Sequence, residues 1–392
     1  MSEYIKCNHN PNFMKIITID SQKLILHSLK KRLIETGYDV EAASSVDEGI
    51  ELLKKETPDL VTVDIKMPDM IGIDVLKYIK EAKLNTKVVV ISGEVEEDLI
   101  TDLFDYGVDE FIRKPVSLNE IVARISRLIG SVNTLEQNLA INFGVILRNK
   151  SVGIVIPCYN EADRFFKEEF RTFINNNIGY YLCFVNDGST DNTLEKLKEI
   201  QQGNENCIGI VDCAENGGKA EAVRQGMLYL TEKSGLDFDY LGFLDADLST
   251  NFKDFNSLID VIERSNYKIV SGSRIERVGA NIKKASKRRV ISLTINYIIQ
   301  RILKMNFRDT QCGAKIIDKD VVPLLFKDKF ITRWLFDVEM FLRMKKHFGD
   351  KVKSLICEQP LRRWIHADGS KLSMKDSVKI ALQLTKIATH YR

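Results

Sequence analysis

The chain predicts an α/β protein made of two consecutive doubly wound blocks, and three observations predict it. Five short β-branched runs near the N-terminus are each separated from the next by an amphipathic, helix-length segment. A second alternation of the same kind begins at Val152. In both blocks, acidic, hydroxyl and glycine residues cluster where strands end. Strand-helix alternation implies a parallel sheet, which gathers its C-terminal loops on one edge, where such folds bind ligands.

In the first block the predicted strands are residues 14–20, 38–43, 60–65, 87–92 and 109–113. Asp20, Asp64, Ser92 and Lys114 all fall at strand ends and are therefore expected together. Carboxylates from two strands can hold Mg²⁺, with the Lys66 carbonyl as a third ligand and water completing the shell. Asp64 can then attack phosphorus while the metal and Lys114 offset charge on the phosphoryl oxygens.

A connector follows. Ile121, Ile125, Leu128, Val132, Leu135 and Leu139 recur at alternating steps of four and three, the spacing of a coiled-coil seam. This pattern extends the last helix of the block toward residue 140 and suits pairing of two protomers, although Gly130 weakens a helix and the stripe also fits a helix packed on its own domain.

In the second block, residues 153–157 lead into Cys158-Tyr159-Asn160-Glu161, and residues 182–185 into Asn186-Asp187-Gly188-Ser189-Thr190-Asp191. Gly188 allows a tight turn, and a following hydroxyl or acid caps the next helix. Asp187 is placed to accept hydrogen bonds from a nucleotide base or ribose. Asn216-Gly217-Gly218-Lys219 opens a helix through Leu230 and offers N–H groups and a cation to an anion. The most specific element is Phe243-Leu244-Asp245-Ala246-Asp247: alternation puts both acids on one side of a chain leaving a strand, where they can hold a divalent cation that neutralises a leaving diphosphate.

Composition narrows the classes. With 392 residues, 44% hydrophobic and 29% charged, the chain has material for two cores. A net charge of +2 gives no bulk attraction for nucleic acid, and no such partner is expected. The seven cysteines are odd in number and scattered, without a C-x-x-C pair, which excludes a disulfide framework or a zinc site and fits a reducing cytoplasm. The polar first residues lack an apolar signal, and no run reaches the roughly 18 apolar residues of a membrane span. Lys283, Lys284, Lys287, Arg288 and Arg289 precede an apolar stripe at Ile291, Ile295, Ile298, Ile302 and Met305, with Arg301, Lys304 and Arg308 beyond. That pattern suits either a peripheral helix on an anionic membrane or a core helix with a basic end, and residues 374–387 pose the same choice.

Through Asp64 to Pro68 and Lys114-Pro115, residues 13 to 130 resemble the receiver domain of bacterial response regulators, a flavodoxin-like (βα)5 fold. The resemblance implies Asp64 as phospho-acceptor, Ser92, Phe111 and Lys114 as switch residues, Asp20, Asp64 and Lys66 as metal ligands, and a sensor histidine kinase as partner. Receivers carry two adjacent acids at the end of the first strand; here Ile19-Asp20 supplies one.

Asp245 to Thr250, Gly272-Ser273-Arg274, Arg308 to Gly313 and Trp334 to Glu339 resemble family 2 glycosyltransferases of the GT-A fold, in the dolichyl-phosphate glucosyltransferase and polyprenyl-phosphate sugar transferase branch. This implies a nucleotide sugar donor, UDP-glucose favoured, inversion at the anomeric carbon, and Mg²⁺ or Mn²⁺. By position, Pro157, Tyr159, Glu161, Asp187, Lys219 and Asp245 line the donor, Asp247 holds metal, and Arg274 and Arg308 meet phosphate. A lipid phosphate acceptor needs no base, whereas a hydroxyl acceptor needs one, for which Asp337 or Asp309 are the candidates. The expected organisation is a tail (1–12), a receiver (13–130), a helical connector (131–149) and a GT-A domain with a C-terminal helix (150–392). Function is expected to be phosphorylation-regulated transfer to a polyprenyl phosphate. The alternatives are transfer to a glycan hydroxyl and a non-catalytic sensor of nucleotide sugars.

Overall fold

A computed structural model describes residues 14–66, 72–93, 97–130, 146–275, 278–283, 288–365 and 374–391. The chain forms two compact units. One comprises residues up to Ser151 with Asn175–Gly179, and the other Val152–Ile174 with the chain from Tyr180 onward.

The first unit contains β1 (Lys15–Ile19), β2 (Asp39–Ala43), β3 (Leu60–Val63), β4 (Lys87–Ser92) and β5 (Glu110–Arg113) in one parallel sheet of order β2-β1-β3-β4-β5. That is the flavodoxin-like order, with its switch point beside β1 and β3. Alternate residues of each strand feed opposite cores: Ile16, Val89 and Ile91 pack with the helices Lys23–Glu35 and Leu118–Ile129, whereas Ile17, Val61, Val63 and Val90 pack with Val46–Lys55 and Ile73–Glu81. Near-continuous apolar strands are what a sheet covered on both faces requires.

The seam expected beyond residue 120 takes a different course. The helix Leu118–Ile129 ends at Gly130, whose φ of +96° suits glycine. Ile121 and Ile125 are fully buried in this unit's own core, so the first turns of the apolar stripe serve a helix packed on its domain. Residues 131–145, including Val132, Leu135 and Leu139, lie outside the described residues. Residues 146–149, expected in the helical connector, are strand: Ile146 and Leu147 pair with β6 (Val116–Ser117) at the start of β7 (Ile146–Cys158).

The second unit is built on β8 (Asn177–Asp187), β9 (Ile208–Cys213), β10 (Tyr240–Leu244), β11 (Ile269–Ser273), β12 (Asn281–Lys283), β13 (Ala314–Asp318), β14 (Ile356–Pro360) and β15 (Arg363–Ile365). Its main sheet has the order β14-β11-β13-β10-β7-β8-β9, and β12 pairs with β15 separately. β10 runs parallel to β7, and β13 runs antiparallel between β10 and β11. β7, β8 and β10 therefore deliver the 158–161, 186–191 and 245–249 loops to one sheet edge. The core beneath joins Ile154, Ile156, Phe184, Leu244, Phe255 and Ile316, with Phe173 stacked on Phe252 at 3.8 Å.

The helix after Gly218 runs from Lys219 to Leu228, and a π-turn carries the chain on to Lys233. From residue 295 to the end of the helix Arg288–Leu303, where burial is described, the fully buried positions are Ile299 and Leu303, one step from the predicted stripe; Ile295, Ile298 and Ile302 are only partly covered. This helix packs on Phe336–Phe348 and on Met374–His390. Among the described residues no helix is long and apolar enough to cross a membrane.

Candidate active sites

In the first unit, register pairs Ile19 with Val63, so Asp20 and Asp64 leave adjacent strands side by side. The Lys114 ammonium, from the turn after β5, lies 2.9 Å from Asp20 Oδ2 and 2.8 Å from Asp64 Oδ2. Ser92 Oγ donates to Asp64 Oδ1 at 2.7 Å, and the Lys66 N–H donates to the same oxygen at 3.0 Å. Burial raises the Asp20 carboxyl above its ordinary value despite Lys114, and the Asp64 charge adds to the rise. Burial also works against charge on Lys114, but the two carboxylates outweigh it and hold the amine protonated. Phe111 packs, partly buried, against the core under β3 and β4. Asp20, Asp64, Ser92 and Lys114 thus form one constellation.

One expectation shifts. Ile19 is 1% exposed inside the core, so an acid could not serve the site from that position. Asp20 is the first residue past β1 and the one acid that this strand end brings beside Asp64.

In the second unit, the first two loops are tied together: Ser189 Oγ accepts from Asn160 N, Asn160 Oδ1 accepts from Thr190 N, and Thr193 Oγ1 accepts from Glu161 N. Asn160, at φ +52°, is one of the few side-chain-bearing residues with a left-handed backbone. Asp187 takes the N–H groups of Gly217 and Gly218 at 2.8 and 2.9 Å. Its carboxylate therefore shapes the turn before Lys219 in addition to any contact with a nucleotide. Gly218 has φ +86°, and the Arg333 side chain lies 3.1 Å from where its Cβ would stand.

Asp245 and Asp247 sit at the end of β10. Lys219 Nζ is 2.5 Å from Asp245 Oδ1, and Asp247 Oδ1 accepts from Ser249 N at 2.9 Å. Burial works against charge on Lys219, but Asp245, Asp337 and Asp247 prevail and raise its pKa. Burial raises Glu161 as well; its partner Arg164 opposes the rise, and the nearby Asp247 and Asp245 add to it. Acids from two loops therefore share one field. Asp337, in the first turn of Phe336–Phe348, is raised chiefly by burial, against Lys315 and Lys219. Tyr159 is exposed, and Pro157 half-buried, at the rim.

Arg274 follows β11 and grips Asp309 through its backbone N, Nε and Nη2 at 2.7 to 2.8 Å, with its guanidinium 5.3 Å from the Trp364 ring centroid. Burial pushes Asp309 up, but the Arg274 charge and hydrogen bonds outweigh it and hold the carboxyl below its usual range. Asp309 is therefore a poor base, and Asp337 the better one. Glu358, on the edge strand β14, accepts from Arg308 N, Asp309 N and Ser273 Oγ. Glu339 accepts from the backbones of Ile331 and Thr332, so it orders the loop beside Arg333.

The family described as response regulator receiver domain matches residues 16–126, and glycosyl transferase family 2 matches residues 153–326. The chain is a glycosyltransferase that carries a receiver domain. The transferase part is similar to dolichyl-phosphate beta-glucosyltransferase of Dictyostelium discoideum, 28% identical over 260 residues, covering 62% of this chain and 75% of that protein. It is also similar to the enzyme of that name in Saccharomyces cerevisiae, 29% identical over 300 residues, covering 71% and 83%. The receiver is similar to cell cycle transcriptional regulator CtrA of Caulobacter vibrioides, 32% identical over 116 residues, covering 30% and 50%.

Several residues around this candidate site carry no sequence signal. Lys315 and Glu358 enter it from β13 and β14, whose register depends on long-range pairing. Arg333 arrives by a loop contact, its carbonyl accepting from Ala220 N. Arg164 was within reach of sequence, because a basic residue three positions after Glu161 is a recurrent partner.

Proposed function

We propose that this glycosyltransferase moves glucose, with inversion, from UDP-glucose to a polyprenyl phosphate, and that phosphorylation of Asp64 by a sensor histidine kinase regulates it. The observation that carries the reading is a carboxylate pair at a strand end, Asp245 and Asp247, the first of which lies within electrostatic range of a guanidinium that Asp309 and Trp364 already orient. The similarity to dolichyl-phosphate glucosyltransferases supports the donor and the acceptor class.

A lipid phosphate is anionic near neutral pH, so it attacks the anomeric carbon without losing a proton and needs chiefly to be positioned. Arg274 keeps Nη1 clear of the hydrogen bonds it makes to Asp309 and can offer it to phosphate, with Arg308 nearby. Pro157, Tyr159, Glu161 and Asp187 line the nucleotide, and Lys219 faces the diphosphate.

The oxygen-only donors of Asp245 and Asp247 suit Mg²⁺ or Mn²⁺. Among the described residues no group of three or more metal-ligating side chains is assembled, which fits an ion held by one or two carboxylates plus substrate oxygens. Bound there, the ion would neutralise charge on the departing diphosphate. In the receiver, Asp20, Asp64 and the Lys66 carbonyl would hold Mg²⁺. The basic segment around residues 283–308 supports a peripheral site on a membrane, and a homodimer is the natural target of receiver phosphorylation.

The test is turnover of radiolabelled UDP-glucose with Mn²⁺ and a polyprenyl phosphate in detergent, against Asp247→Ala. Label should enter the organic phase with wild type and not with the variant. The buried, basic Asp337 favours a second reading, transfer to a glycan hydroxyl, in which label stays in polar product. Donor bound without sugar release would leave only a sensor.

A further inference from the structure

Lys315 is 0% exposed in β13, and none of the roles above uses it. An ammonium so enclosed needs an acceptor for each N–H, because a buried donor without one is costly. Lys315 has three. It donates to the Thr310 carbonyl at 3.0 Å and the Cys312 carbonyl at 2.7 Å, and its Nζ lies 2.6 Å from Asp337 Oδ1 in an ion pair. The ring of Phe243, with its centroid 5.3 Å from Nζ, covers another side. Two main-chain carbonyls fix the ammonium, so the third contact fixes Asp337.

Asp337 is 5% exposed, and besides Lys315 the charged groups that face it are Lys219, from the helix after Gly218, and Asp245, from the end of β10. Lys219 is the residue paired with Asp245. Charges therefore alternate from the buried strand to the sugar-nucleotide edge in the order Lys315, Asp337, Lys219, Asp245. A pair kept only to fill the core gains little over apolar residues of the same volume. This one adjoins the carboxylate on which the candidate chemistry depends.

We propose that Lys315 is a positioning residue of the transferase site: anchored by the Thr310 and Cys312 carbonyls, it orients the Asp337 carboxylate toward Lys219 and Asp245. The proposal rests on the reading of the Asp245 and Asp247 edge as a sugar-transfer site.

Full-length Lys315→Met, Asp337→Asn and the double variant are compared with wild type for UDP-glucose KM and kcat, and for UDP binding by calorimetry. Each single variant should lose about 100-fold in kcat, the scale of a misplaced group, with donor KM and UDP affinity within about threefold of wild type. The double variant should fall no further than Asp337→Asn, because Lys315 acts through Asp337. Lys315→Met strands a buried carboxylate; should it fail to fold, the double variant carries no such charge, and its comparison with Asp337→Asn decides alone. Three results overturn the proposal: a folded Lys315→Met with kcat within about threefold of wild type, a double variant whose loss is the product of the singles, or losses in KM and kcat that track a fall in melting temperature. Failure of the functional reading would be seen in the wild type, as UDP-glucose bound but never turned over. Failure of the positioning role would be seen only in the ratios between variants.

Discussion

At the scale of single residues, Gly313 is glycine because Asp245 lies across it: a Cβ there would stand 1.8 Å from Asp245 Oδ2. Gly313→Ala is expected to push that carboxylate aside and lower kcat by about 100-fold, with little change in melting temperature, as donor turnover and calorimetry would report. Asp309 offers a pH test. Its folded pKa lies below the ordinary 3.8, so its stabilisation is complete above pH 3.8 and is lost as pH falls below that through the folded value. Asp309→Asn should therefore cost the transferase domain about 3 kcal/mol at neutral pH, and less near pH 3, measured by urea unfolding at both. Asp20, Asp64, Ser92 and Lys114 were legible in the sequence because strand ends of a parallel sheet must converge. Lys315 and Glu358 were not, because nothing local reveals which residue of a late antiparallel or edge strand meets a loop formed far away in the chain.

Secondary-structure elements were legible where periodicity had one physical use. The strands of the first unit fall within a residue or two of their predicted limits, since turn residues and β-branched runs agree there. The apolar stripe after residue 120 had two uses, and packing in the unit's own core took its first turns. Ser117 caps that helix by accepting from Glu120 N, and Gly130 closes it. Gly130→Ala should destabilise the receiver by about 1 kcal/mol, because it strains a positive φ and brings a Cβ to 2.9 Å from Met14 Cε. The receiver transition in a denaturant titration measures it. A similar competition explains the C-terminal half of the helix Arg288–Leu303, where the helix packs on two others and buries Ile299 and Leu303.

For the whole molecule, the order of the two domains was plain from the sequence, because each sheet brings its own strand-end motif. What passes between them was not, since regulation is a difference between states and a sequence encodes both. Lys114 and Ser92 already contact Asp64, so a phosphoryl group there meets a cation and a hydroxyl in place. Acyl phosphate is expected to change sugar turnover or protomer association of the wild type by more than about twofold and to leave Asp64→Asn unchanged, by parallel activity assay and light scattering. Equal behaviour of the two proteins would remove Asp64 from control.

The Cys312 thiol is buried under the turn that holds Lys315, and burial pushes its pKa up to about 11, so it is inert to alkylating reagents while that turn stays shut. Its labelling rate in an excess of reagent would time the transient opening of the turn that holds Lys315, a native stopwatch that needs no added probe.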